Sequence, residues 1–145
     1  LVYSDNGSDS AKAVSAASKL VNEKVSIVLG SYGSGVSIAA SDTFKQAGIP
    51  AVGVTCTNPN VTAGNSHYFR ICFLDPFQGT VLANYASSEL KAKKAYCLGE
   101  NGNEYDQGLI KYFTDAFDGE VITDPKMANR MLSTTISTLP RSRNR

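Results

Sequence analysis

The 145-residue chain has no tryptophan, one histidine and no apolar run near the roughly 20 residues that cross a bilayer. It also lacks an excess of either charge, because 14 lysines and arginines stand against 13 acidic residues. These absences argue against a membrane span and against nucleic acid or an anionic membrane as a partner. The hydrophobic fraction of 42% is sufficient for a buried core, so we expect a globular chain.

Cysteine is scarce as well, and its spacing excludes the common metal-binding motifs. The chain has three cysteines, Cys56, Cys72 and Cys97, with no CxxC or Cys/His ligand spacing among them. An odd number cannot pair completely within one chain. Two interpretations stay open: small buried residues near strand ends, or a disulfide between Cys56 and Cys72.

The sequence contains no recognisable catalytic constellation. No nucleophile elbow occurs, and His67 has no cysteine, histidine or acid at ligand spacing, so we expect a surface role for it. Asp106, Asp115 and Asp118 lie on or near one predicted helix, where a solvated face is expected. We therefore expect no enzyme activity, no metal and no cofactor.

Predicted strands and helices alternate along the chain. Apolar residues at helical spacing predict helices over about 10–23, 36–47, 75–90 and 105–117, and short apolar runs predict strands over 1–4, 25–29, 49–54, 68–73, 94–98 and 120–123. This order is typical of a doubly wound α/β fold, in which parallel sheets are covered on both faces. Such sheets bind ligands at the carboxyl ends of their strands.

Two loops at predicted strand ends carry candidate ligand-binding residues. The loop Gly30–Gly35 reads GSYGSG, which is neither a dinucleotide fingerprint nor a phosphate P-loop. It can bind a small anion such as a carboxylate with Ser34 as a donor, or it is a tight turn with a serine cap. In the second loop, strand alternation predicts that Thr55 and Thr57 point to the same side, where their hydroxyls suit a zwitterion.

Four segments, taken in order, resemble the leucine/isoleucine/valine-binding protein family, type I periplasmic substrate-binding proteins of bacterial ABC importers. These segments are YSDNGSDSAKAVSAASKLV, VSIVLGSYGSGVSIAASDTFKQAGIPAVGVTCTNPNVT, YFRICFLDPFQG and EYDQGL. The resemblance spans roughly residues 1–123 in unbroken order. It implies a type I periplasmic-binding-protein fold with two similar lobes that close on an amino acid.

The resemblance also implies roles for individual residues. Ser34 is similar to the loop serine that binds the ligand carboxylate, and Thr57 to a threonine that contacts both ligand groups. Thr55 is similar to the residue whose backbone carbonyl accepts from the ammonium. Tyr105 resembles the second-lobe tyrosine that closes over the ligand, and Asp106 stands where the family usually has glycine.

The same resemblance predicts the organisation of the chain. Residues 1–72 would be part of lobe one, 73–75 the crossing between lobes, and 76–123 the start of lobe two. The tail, residues 124–145, departs from the family pattern and holds four of the five arginines, so we expect it to be non-native or disordered. We expect the chain as a whole to be a truncated two-lobe fragment.

The implied function is the solute-capturing component of a branched-chain amino-acid importer, located in the periplasm or lipid-anchored outside the cell. Its expected partners are an amino acid and the membrane permease. The alternative is a ligand-sensing receptor domain, which the same fold serves. An α/β enzyme is the third possibility, although no catalytic group supports it.

Overall fold

The computed structural model describes residues 1–123, and the predicted tail 124–145 lies outside them. Helices and parallel strands alternate along the chain. In order, the elements are α1 (Ser10–Asn22), β1 (Val28–Leu29), α2 (Ser34–Ala47), β2 (Ala51–Gly53), a 3-10 helix (Pro59–Val61), β3 (Tyr68–Arg70), α3 (Asp75–Ser88), β4 (Lys94–Cys97), α4 (Glu104–Ala116) and β5 (Glu120–Thr123). They form two compact units that divide between Leu74 and Asp75.

A three-stranded parallel sheet in the order β1-β2-β3 forms the centre of the first unit. Ala51 pairs in register with Tyr68, and both side chains are buried on the face where α1 and α2 pack. The helices contribute the rest of this core, namely Ala13, Ala17, Val36, Ala40 and Phe44. On the other face Leu29 is 74% exposed and Phe69 53% exposed, so the described helices cover one face of this sheet and not both as predicted.

Local sequence signals set the ends of α1 and α2. The carboxylate of Asp9 accepts a hydrogen bond from the Lys12 N–H at 2.8 Å, which caps α1 at the start of the predicted helix 10–23. Helix α2 ends at Gly48, whose φ of 67° lies in the left-handed region that glycine adopts without strain. The chain then turns directly into β2.

The described part of the second unit, residues 75–123, contains the parallel pair β4–β5 and the two helices α3 and α4. The helices approach closely at Gly79, where an added Cβ would lie 2.7 Å from the Tyr112 Cβ. Phe113 and Phe117 stack with their ring centroids 5.2 Å apart and close the core of this unit.

The predicted strand at residues 1–4 is wrong, and the predicted strand at 25–29 shortens to Val28–Leu29. A strand requires a hydrogen-bonded neighbour, and β1 is the edge of its sheet. Residues 1–4 and 25–29 instead line a groove of about 700 Å³. Both segments have the apolar residues on which the strand predictions were based, but no described strand lies between them.

Candidate functional site

The candidate site lies in the first unit, in the loops that follow β1 and β2. These strands are parallel neighbours, so both loops leave the same edge of the sheet. The first loop leads into α2 at Ser34, and the second leads to the 3-10 helix at Pro59. The topology thus brings Ser34 and the segment 54–58 together, as the sequence predicted for a parallel sheet.

The first turn of α2 is open to an anion. Its N-cap is Gly33, with a φ of 95°, and no side chain among residues 1–123 caps the helix. The first backbone N–H groups of a helix have no intrahelical acceptor, and the helix dipole places positive partial charge there. This end of α2 therefore offers donors to a carboxylate.

Ser34 connects the two loops. Its side chain is buried, and its Oγ accepts a hydrogen bond from the backbone N–H of Asn58 at 3.2 Å. Because the hydroxyl acts as acceptor in this bond, its proton can still be donated. Ser34 can therefore hold the second loop and donate to a ligand at the same time.

Thr57 carries a buried hydroxyl that lacks a protein partner. The residue is 6% exposed, and its Oγ1 makes no hydrogen bond within residues 1–123. A hydroxyl buried without a partner costs on the order of 1–3 kcal/mol. A ligand group that bonds to this oxygen would remove that cost.

The two threonines do not share an orientation set by a strand. β2 ends at Gly53, before both residues, so strand alternation does not apply to them. Thr57 is buried whereas Thr55 is exposed. The predicted same-side arrangement of the two side chains is therefore wrong, because β2 ends before both residues.

A polar cluster of Ser31, Ser37 and Cys56 supports the first loop. Ser37 Oγ lies 2.8 Å from Cys56 Sγ and 2.6 Å from Ser31 Oγ, and it donates to the Gly33 carbonyl at 2.9 Å. Burial raises the pKa of Tyr68, partly offset by hydrogen bonds to Ser37 and Ser31. The cluster therefore fixes the glycine-serine loop against the sheet.

All three cysteines are free. Cys56 and Cys97 are buried, as the first interpretation of the sequence required, and Cys72 is partly exposed. Burial also raises the pKa of the Cys97 thiol. The alternative disulfide between Cys56 and Cys72 is not formed.

Arg70 is the residue of this site that the sequence analysis missed. Its guanidinium donates four hydrogen bonds to the loop 56–62, two from each terminal nitrogen. The available signal was its position, since it is the only arginine before Arg130 and it lies within the predicted strand 68–73.

Tyr105 lies in the second unit, at the start of α4. It is half-buried, and its hydroxyl accepts a hydrogen bond from the Gln78 amide at 3.0 Å. The Asn103 side chain caps the helix and accepts from the Tyr105 N–H at 3.1 Å. The neighbouring Asp106 accepts from the Glu100 N–H at 2.8 Å, so this carboxylate closes the loop before α4.

Residues 1–123 contain no group of histidine, cysteine and acidic side chains able to hold a metal ion. Within the same residues, no helix is long and apolar enough to cross a membrane.

Comparison with known families shows to which family this chain belongs. The periplasmic binding protein family matches residues 1–129. The chain belongs to this family. The Leu/Ile/Val-binding protein homolog 3 of Brucella melitensis is 32% identical over 125 residues, which is 86% of this chain and 34% of that protein. The amino acid binding protein of Pseudomonas aeruginosa is 39% identical over 111 residues, or 75% of this chain and 29% of that protein.

Solved structures agree with this membership and with the α/β fold of parallel sheets. The leucine binding protein LivK of Thermotoga maritima superimposes with a TM-score of 0.83 at 33% identity, covering 86% of this chain and 37% of that one. LivJ of Streptococcus pneumoniae, solved with isoleucine, gives a TM-score of 0.77 at 36% identity, covering 85% and 36%. The chain therefore spans about a third of the length of these relatives. The family is one of substrate-binding proteins and not of enzymes.

Proposed function

We propose that this chain supplies the carboxylate-binding part of an amino-acid-binding protein that serves an ABC importer. The observation that carries the proposal is the buried Thr57 Oγ1, which has no partner within residues 1–123. It adjoins Asn58, whose N–H is bonded to Ser34, and Ser34 begins the uncapped helix α2. These three features together offer hydroxyl and backbone donors to one negatively charged group.

The amino-acid class is supported by the relatives. LivJ was solved with isoleucine, and LivK of Thermotoga maritima is a leucine binding protein. On this basis we propose a branched-chain amino acid as the ligand. The carbonyl of Thr55 is the proposed acceptor for the ligand ammonium. Tyr105 is the proposed tyrosine that closes over the ligand.

The proposal extends to the organisation and location of the protein. Residues 1–72 are assigned to one lobe, 73–75 to a crossing and 76–123 to the second lobe. The family name supports a location outside the cytoplasm, and we propose that the protein is periplasmic or lipid-anchored and delivers its ligand to a membrane permease.

The test is a calorimetric titration of the protein expressed from its own gene with leucine, isoleucine, valine and leucinamide. Leucinamide keeps the ammonium and side chain but replaces the carboxylate by a neutral amide. We expect the amino acids to bind and leucinamide to bind at least about tenfold more weakly, the effect of losing charge-assisted hydrogen bonds.

Equal binding of leucine and leucinamide would contradict the carboxylate assignment. If none of the three amino acids binds but benzoate does, the amino-acid class is wrong. The carboxylate site would still stand, because benzoate has a carboxylate but no ammonium. A signalling or membrane segment fused to this domain in the full gene would favour the sensing receptor.

A further inference from the structure

Arg70 lies at the end of β3, at the same sheet edge as the candidate site. It pairs in register with Gly53, the last residue of β2. The loop that carries Thr55 and Thr57 begins immediately after Gly53. The Arg70 side chain therefore starts beside this loop, although it follows Thr57 by 13 positions in the sequence.

The guanidinium bonds to the loop along most of its length. Nη1 donates to the Cys56 carbonyl at 2.7 Å and to the Asn58 carbonyl at 2.9 Å. Nη2 donates to the Pro59 carbonyl at 3.1 Å and to the Thr62 Oγ1 at 2.8 Å. One rigid planar group thus fixes four acceptors spread over seven residues.

These contacts hold the two peptide groups on either side of the Thr57–Asn58 peptide. The carbonyls of Cys56 and Asn58 stand on either side of it in the chain, and Arg70 holds both. Fixing both peptides restricts the backbone of Thr57 and therefore the direction of its buried hydroxyl. It also orients the Asn58 N–H that donates to Ser34 Oγ.

The charge of Arg70 is not neutralised by the groups it binds. All four acceptors are neutral, and the ion pairs Lys94–Glu120 and Lys111–Asp115 do not involve Arg70. A half-buried guanidinium under this loop adds positive potential to the site. Such a potential favours an anionic ligand group.

We propose that Arg70 is a positioning residue, which holds the loop 56–62 in the conformation that presents Thr57 and Asn58 to the ligand. It does not itself touch the ligand. This inference rests on the proposed function, because it assigns Arg70 to the same carboxylate site.

The test uses the protein expressed from its own gene and the variants Arg70→Gln, Arg70→Lys and Thr62→Val. Arg70→Gln removes both the charge and the planar guanidinium with its two terminal nitrogens. Arg70→Lys keeps only the charge, and Thr62→Val removes one acceptor. Lys45→Gln is the matched control, because Lys45 is an exposed cation whose Nζ donates to the Gly64 carbonyl at 2.9 Å, outside the loop 56–62.

Two quantities are measured in each variant: the hydrogen-exchange rate of the Asn58 amide without ligand, and the dissociation constant for leucine. We expect Arg70→Gln to accelerate exchange and weaken leucine binding by about tenfold or more, as expected when charge-assisted bonds that order a loop are lost. Arg70→Lys should restore part of both losses. Thr62→Val should change both by about two- to fivefold, and Lys45→Gln neither.

Unchanged exchange at Asn58 in Arg70→Gln and Arg70→Lys would overturn the inference, and so would faster exchange with unchanged leucine affinity. If the parent protein itself fails to bind leucine, the proposed ligand is wrong, and the exchange rates alone decide whether Arg70 orders the loop. If Arg70→Gln does not fold, Arg70→Lys and Thr62→Val decide in the same way.

Discussion

At the scale of single residues, burial of Cys97 makes the stability of the protein depend on pH. Its thiol is buried in the second unit, and this burial raises its pKa above the usual 9.0. The folded state therefore retains the thiol proton where the unfolded state releases it. The resulting contribution to stability is complete below about pH 9 and is lost as the pH rises through the folded-state pKa.

We predict that the free energy of unfolding, measured with denaturant, falls between pH 8 and pH 10.5, and that Cys97→Ala reduces this fall. Cys72→Ala is the control, since Cys72 is partly exposed, and it should follow the parent protein. An identical pH dependence in Cys97→Ala and the parent would exclude burial of this thiol as a cause.

Residue chemistry also limited what the sequence could predict of the site. The place of Ser34 at the start of a helix could be predicted, because a helix start after a strand is visible in the glycine-serine pattern. The lack of a partner for Thr57 Oγ1 could not, since it depends on how the segment 54–58 bends after β2 ends. The contacts of Arg70 were equally hidden, because they join residues that are 8 to 14 positions apart.

At the scale of elements, the contact between α3 and α4 depends on Gly79. A Cβ there would lie 2.7 Å from the Tyr112 Cβ and 2.8 Å from the Phe113 backbone nitrogen. Backbone cannot move aside as a flexible side chain can, so the helices would have to separate.

We predict that Gly79→Ala destabilises the protein by about 1–3 kcal/mol in denaturant unfolding, despite the higher helix propensity of alanine. Thr80→Ala, at an exposed position of the same helix, should change stability by less than about 1 kcal/mol. A Gly79→Ala variant as stable as the parent would show that the helices are not in close contact.

Helices were more predictable from the sequence than strands. The expected helix at 10–23 is observed at Ser10–Asn22, because the Asp9 cap and the spacing of Ala13 and Ala17 are local features. The expected strand at 1–4 is absent, because a strand also needs a partner that the local sequence does not specify.

At the scale of the whole molecule, the order of motifs identified the family, whereas no single motif could. The glycine-serine loop, α2, β2 and the Thr/Asn/Pro loop occur in succession, and the family match extends over residues 1–129. Family membership establishes a substrate-binding fold. The ligand remains a proposal, because the chain covers only 34% of the Brucella melitensis relative and 37% of LivK.

The most direct test of the central claim is the variant Thr57→Val, measured in two ways in the protein expressed from its own gene. Valine has nearly the shape of threonine but no hydroxyl. If Thr57 Oγ1 bonds only to the ligand, its removal eliminates a buried unpaired group and leaves ligand-free stability unchanged or raised by up to about 3 kcal/mol.

The same variant should bind leucine about tenfold more weakly, since the bond to the carboxylate is lost. Thr80→Val is the matched control, because the exposed Thr80 Oγ1 donates to the Pro76 carbonyl within its own helix, and it should leave the affinity unchanged. The account predicts opposite effects in Thr57→Val: stability maintained or increased and affinity reduced. Reduced ligand-free stability together with unchanged leucine affinity would contradict it.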